Sequence, residues 1–198
     1  MQKTSSPEAT ALPVPEKEHY TYDDYAQLPE GAPCELIAGD LVMAPFPSSR
    51  HQRILRCLAW KMQRHIDDHN SGEILFAPMD VYLSEATTVQ PDLLYITEAR
   101  REIIGAQRIS GAPDVVVEIF SPATGHRDVG IKKRLYEQHG VREYWTIDPE
   151  TQAVEVHANT DTGFQQRARV VDTGTVASVV IEEFSLDIAT LFRAVPET

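Results

Sequence analysis

The sequence predicts a mixed α/β sheet with helices on its faces and a C-terminal antiparallel β extension. Three observations carry this. Two short apolar runs, VQPDLLYI at 89–96 and APDVVVEIFSP at 112–122, are rich in Val, Ile and Leu and read as strands buried on both faces. A longer stretch before these runs repeats its apolar residues at the helical period, and one after them is bounded by helix-capping residues. Beyond Pro149 the segments QAVEVHA, GFQQRARV and VASVVI alternate as an antiparallel meander does. Helices interleaved with strands in this order lie on the faces of a sheet.

Taken in order, the first nineteen residues, MQKTSSPEATALPVPEKEH, are rich in Pro, Ser, Thr and Glu, and the expectation is a disordered tail. Residues 20–198 then form one domain, because 198 residues at 42% apolar composition bury one ordinary core. HYTYDDYAQL reads as a short helix packed through its aromatics and closed by PEGAP. CELIAGDLVMAP reads as a hairpin turning at Gly39-Asp40. Ser48 or Ser49 caps a helix running to about Asn70, with Ile54, Leu55, Leu58, Ala59, Met62 and Ile66 on its apolar face. Ser71-Gly72 ends it. EILFAP and MDVYL read as two strands or one bent strand, followed by the polar turn SEATT and the strand around Asp92. EARREIIGAQRISGAP reads as a short helix and a loop, leading into the strand that holds Glu118. A second helix is expected from Asp128, as its N-cap, to His139, with Gly140 as C-cap. VREYWTID reads as a further strand, and FSLDIATLF as a final short helix.

No stretch of eighteen apolar residues occurs, and the N-terminus lacks the apolar core of a secretory signal, so the expectation is a soluble cytoplasmic protein with no membrane partner. Cys34 and Cys57 have neither metal-ligand spacing nor the density of a disulfide scaffold, which fits reduced thiols. The formal charge of −12 argues at first against nucleic acid, but it sits at the two ends. Residues 1–48 hold eight acids and two bases, residues 148–198 nine acids and three bases, and the middle is balanced at 13 each. Within that middle the bases fall in runs: Arg50, Arg53, Arg56, Lys61 and Arg64; Arg100, Arg101 and Arg108; Arg127, Lys132, Lys133 and Arg134. These are either solvated helix faces or a local basic groove.

Each of the two apolar runs carries a carboxylate, Asp92 in the first and Glu118 in the second. An ionised carboxylate in such a setting costs several kcal/mol unless it is paired, hydrogen-bonded, protonated or bound to a metal. If the strands are neighbours, the two meet over one cation. Mg²⁺ prefers oxygen ligands and uses one or two protein carboxylates, with phosphate and water supplying the rest. Phosphodiester hydrolysis also needs a cation to stabilise developing charge and present a water. Lys132, on the helix after the Glu118 strand and one turn before Tyr136, is the candidate. His65, Asp68 and His69 share zinc-like spacing on a helix but lack a third convincing ligand and a dry setting, so they read as solvated. No nucleophile elbow, GxGxxG or Walker sequence occurs.

ELIAGDLV at 35–42, HQRI at 51–54, APMDVYLSE at 77–85, VQPDLLYI at 89–96, GAPDVVVEIFSP at 111–122 and DVGIKKRLYEQHGVREYWTIDPE at 128–150 together resemble the putative restriction endonuclease family of the PD-(D/E)XK nuclease superfamily. The resemblance implies a restriction-endonuclease-like core, with Pro91-Asp92 as the PD and Glu118 as the acid of the second half-motif. It also implies Mg²⁺ or Mn²⁺ held by Asp92 and Glu118, DNA as substrate, and a homodimer where both strands are cut. The superfamily places Lys two residues after the acid, where this chain has Phe120; Lys132 on the following helix corresponds to it. Members often carry a Glu on the first core helix; none stands at 50–66 here, and Glu35 or His51 takes that part. Asp80 stays open between a structural and a site role. Two functions follow: a metal-dependent DNA endonuclease with Asp92, Glu118, Lys132, Glu35 and His51 as its catalytic set, or a catalytically silent nucleic-acid-binding or assembly module of the same fold.

Overall fold

The computed structural model describes residues 14–29, 31–44, 46–121 and 125–193, and at 125–129 it describes the backbone alone. Residues 1–13 of the expected tail lie outside the described residues. In chain order the elements are α1 (Tyr22–Tyr25), β1 (Cys34–Ile37), β2 (Asp40–Met43), α2 (Ser49–His69), β3 (Gly72–Phe76), β4 (Asp80–Ser84), β5 (Thr87–Val89) and β6 (Leu93–Thr97). A 3-10 helix at Glu98–Ile103 follows. Then come β7 (Arg108–Ser110), β8 (Val115–Ile119), α3 (Gly125–Gln138), β9 (Glu143–Asp148), β10 (Ala153–Thr160), β11 (Gly163–Val171), β12 (Thr175–Ala177), β13 (Ser185–Asp187) and α4 (Ala189–Arg193). The class is mixed α/β, as expected. Among the described residues no helix is long and apolar enough to cross a membrane.

The strands form two mixed sheets. One has the order β2-β1-β5-β4-β7, with β4 and β7 parallel; the other has the order β11-β10-β9-β8-β6-β3, with β8 and β9 parallel. Strands β12 and β13 pair as a small antiparallel sheet of their own. The first two strands of the expected β extension therefore lengthen the larger sheet, and only the last part stands apart.

Period-two alternation sorts the larger sheet into two faces. Leu93, Tyr95, Val115, Val117, Ile119, Trp145 and Ile147 pack against Ile54, Leu58, Met62 and Ile66 of α2. Leu94, Ile96, Val116 and Tyr144 face the other way, toward Ile37, Val81 and Val89 of the smaller sheet and Tyr136 of α3. Glu118 follows Val116 by two and shares this second face. A carboxylate is thereby carried between two sheets rather than onto an open surface.

Helix α2 forms as the sequence indicates. Ser48 accepts a hydrogen bond from the His51 amide at 3.2 Å, and Asn70 closes the helix in the left-handed conformation. Five boundaries differ from expectation, and at a sixth place, EILFAP and MDVYL, the structure selects one of the two expected readings. The hairpin turns at Ala38-Gly39, both at positive φ as a type I′ turn requires, so Asp40 already pairs with Ile37. EILFAP and MDVYL are separate strands in different sheets, with the Ala77–Pro78 step between them. The expected loop at 105–113 contains β7, which three residues are too short to announce. Helix α3 is already running at Gly125, so Asp128 stands within it rather than at its cap. Near the C-terminus, VASVVI stops as a strand at Ala177 because the Ser178 hydroxyl accepts from the Val180 and Ile181 amides and turns the chain. FSLDIATLF divides into β13 and α4 where Asp187 accepts from the Ala189 amide.

Asp114, at the start of β8, is fully buried and ties that strand in place. It accepts from the Thr97 amide at 2.9 Å and hydroxyl at 3.0 Å, and from Arg100 at 3.0 Å and Arg142 at 3.1 Å. Asp114→Ala strands these donors, and urea denaturation should show a loss of about 3–5 kcal/mol. Arg142→Ala leaves Arg100 in place and should cost under about 1.5 kcal/mol.

Candidate active site

Strand β6 pairs with β8 in the register Leu93↔Val117 and Leu94↔Val116. One further step places Asp92, the residue just before β6, opposite Glu118. The pairing is closed by the side chain: Asp92 Oδ2 accepts from the Ile119 amide at 2.7 Å. Asp92 Oδ1 lies 3.0 Å from His51 Nε2 on the first turn of α2. His51 is buried, and its Nδ1 has no partner among the described residues.

Glu118 is met from α3, where Lys132 and Tyr136 stand four residues apart on one face. Lys132 Nζ lies 3.0 Å from Glu118 Oε1, and the Tyr136 hydroxyl donates to the same oxygen at 2.6 Å. Lys132 also reaches the smaller sheet, at 2.8 Å from Glu35 Oε1 on β1. That oxygen in turn accepts from the Gln90 amide at 2.6 Å. The structure thus brings Asp92, Glu118, Lys132, Glu35 and His51 into one site at the junction of both sheets and both long helices. Asp80 does not join it: its Oδ1 accepts from Tyr25 and Gln90, so it fixes the residue whose amide holds Glu35. Gln90 and the Ile119 amide were not singled out by sequence, because a backbone donor carries no residue signature.

The electrostatics follow from this crowding. Burial pushes the Glu118 carboxyl up to about 7; the Lys132 ammonium and the Tyr136 hydroxyl oppose that rise, while Asp92 and Glu35 add to it. For Lys132 burial acts to lower the pKa, but the two carboxylates outweigh it and hold the amine above its ordinary range. Lys132 is therefore an ammonium at neutral pH. With Glu118 ionised, three carboxylates stand against one ammonium and leave an excess of two negative charges; with Glu118 protonated the excess is one. Among the described residues no three His, Cys, Asp or Glu side chains are grouped to hold an ion. The donor set fits Mg²⁺ or Mn²⁺ in the open form, with two protein carboxylates and a shell completed by water and phosphate. His65 and His69 are engaged instead with the Glu182 and His65 carbonyls.

A family model described as putative restriction endonuclease, Uma2, matches residues 22–189. The crystal structure of a putative nuclease belonging to DUF820 from Anabaena variabilis superposes with a TM-score of 0.73 at 22% identity, over 88% of this chain and 98% of that one. At that identity the likeness shows the shared fold. No curated protein matches the chain.

The raised carboxyl gives a stability signature in metal-free buffer. Between the ordinary 4.5 and the folded value of about 7, the native state keeps a proton that the unfolded chain releases. Stability attributable to Glu118 therefore falls as pH rises through that window and levels off above it. Glu118→Gln has no such proton. Urea denaturation should show the variant close to wild type near pH 4 and ahead of it by about 3 kcal/mol above pH 7.

Proposed function

We propose that this chain, which belongs to the Uma2 family of putative restriction endonucleases, hydrolyses DNA phosphodiester bonds with the help of a divalent metal ion. The observation that carries the reading is the buried cluster itself: Asp92 opposite Glu118, with the Lys132 ammonium 3.0 Å from the Glu118 carboxylate. Asp92 and Glu118 would hold the Mg²⁺ or Mn²⁺, which supplies Lewis acidity toward a phosphoryl oxygen and a lowered pKa to a water.

The chain's own groups divide the remaining work. Hydrolysis builds negative charge on the phosphoryl oxygens, and Lys132 is the buried cation that meets it. Because its pKa is raised, Lys132 donates hydrogen bonds to water or phosphate and does not take up a proton. Glu35 holds Lys132 from the smaller sheet, and Tyr136 fixes the rotamer of Glu118 from α3. Asp92 is held on one side by the Ile119 amide and on the other by His51. Glu35 and His51 are thus positioning residues, while Asp92 and Glu118 would be the metal's ligands. Phe120, where the superfamily has lysine, lines the same cavity, and the cation comes instead from α3.

Purified protein should cut DNA only with Mg²⁺ or Mn²⁺ present. Asp92→Asn and Glu118→Gln should each abolish that cleavage. Lys132→Met should keep metal affinity and lose about 10²–10³ in rate, as loss of a charge-stabilising donor does. Lys133→Met, about 100° around the helix, should stay within a few-fold of wild type. Metal binding without cleavage of any DNA would favour the silent module, and a slower Lys133 variant would remove Lys132 from its role.

A further inference from the structure

The site lies in a confined place. Its residues line a cavity of about 370 Å³ whose remaining wall is largely apolar, including Pro33, Val42, Met43, Leu55 and Pro78. The charged side chains that line it are mostly buried, from 6% exposed at Glu35 to 18% at Asp92. The volume is at the small end of ligand pockets, which run to roughly 300–1,000 Å³. That volume is of the order of one nucleotide and well below that of a base pair with its sugars.

Outside the cavity the surface offers stacking and a narrow row with two arginines, which ends at the exposed Asp67 and Asp68. Phe46 lines the cavity and is 85% exposed. Gln52 also lines it and begins a row along α2 of Gln52, Arg56, Trp60 and Arg64, each four residues on and each exposed. Trp60 is 60% exposed, stands about 12 Å along the helix from Gln52, and has the Arg64 guanidinium 5.7 Å from its ring centroid. Exposed aromatics alternating with arginines are the chemistry that holds unpaired bases and their phosphates. Phosphate contacts need free Lys and Arg side chains, and four bases of the middle of the chain are engaged elsewhere. Arg100 is on Asp114, Arg101 on Glu73 and Glu98, Arg108 between Tyr22 and Tyr82, and Lys132 in the site.

We infer that the substrate is a single unpaired DNA strand, with one nucleotide in the cavity beside Phe46 and the flanking strand along the Arg56, Trp60 and Arg64 row. The inference rests on the nuclease reading for the reaction and adds the class of substrate. The probes are a fluorescein-labelled 15-nucleotide single strand and its blunt duplex, at roughly physiological salt. Anisotropy without metal should show the single strand bound at least tenfold more tightly. Trp60→Ala and Arg56→Ala should each weaken that binding roughly tenfold, while the thermal shift on adding Mg²⁺ stays as in wild type. With Mg²⁺ the single strand should be cut faster than the duplex. Equal or tighter duplex binding, or unchanged binding in both variants, overturns the inference. Duplex cut as fast as single strand overturns it too while leaving the nuclease reading intact; tight single-strand binding with neither DNA cut does the reverse.

Discussion

One ammonium stands between two carboxylates of different sheets: Lys132 is 2.8 Å from Glu35 on the smaller sheet and 3.0 Å from Glu118 on the larger. Without it, each carboxylate would have to be protonated or hydrated where it lies, and the two sheets would repel at the line where they meet. With it, the sheets and α3 are joined electrostatically. The compensation is incomplete, because Asp92 brings a third carboxylate opposite Glu118. Together with burial, the excess appears as the raised Glu118 carboxyl. Structural acids elsewhere are treated differently. Asp114 is matched by two arginines and a backbone amide, and buried Glu143 accepts from Trp145, Ser178 and the amides of Val179 and Val180. Those acids are satisfied within the protein, whereas the acids of the site are not fully balanced.

The fold produces this arrangement through alternation. Along β8, Val115, Val117 and Ile119 feed the α2 side of the core, which obliges Val116 and Glu118 to face the smaller sheet. Helix α2 contributes to both sides of the problem. Its apolar face secures the larger sheet, and its first turn delivers His51 to Asp92. Stability and site geometry therefore share the same elements, and the site's acids sit where they cost the most in the absence of a ligand.

The parts of this site that were legible in the sequence are those that break a pattern. Asp92 and Glu118 interrupt apolar strands, and a charge in such a run demands an explanation. Lys132 was legible by proximity, since the helix carrying it follows the Glu118 strand directly. Glu35 and His51 entered through family resemblance, because their contacts cross between elements and long-range pairing leaves no local period. The same limit explains the fold. Helix α2 has a full apolar face and an N-cap, so its ends were readable, whereas β7, β12 and β13 have three residues each and no period to read. The hairpin shifted by one residue because register imposes positive φ on Ala38, a residue with no preference for it. The basic run at 100–108 read as solvated faces or part of a groove, and neither reading anticipates that Arg100 is held by Asp114 and Arg108 lies over two tyrosines.

The confined apolar cavity, the partly balanced acids and the short basic row agree with one another. Each is compatible with the proposed reading of a small anionic ligand unit arriving with a cation. The central claim is that the site's carboxylates outnumber its one ammonium, and Mn²⁺ titration by calorimetry tests it most directly. Wild-type protein should bind one Mn²⁺ per chain near neutral pH, with protons released to the buffer as Glu118 ionises, and Asp92→Ala should lose the binding. Absence of a saturable heat in the wild type, or an Asp92→Ala variant that binds as tightly, would contradict the account.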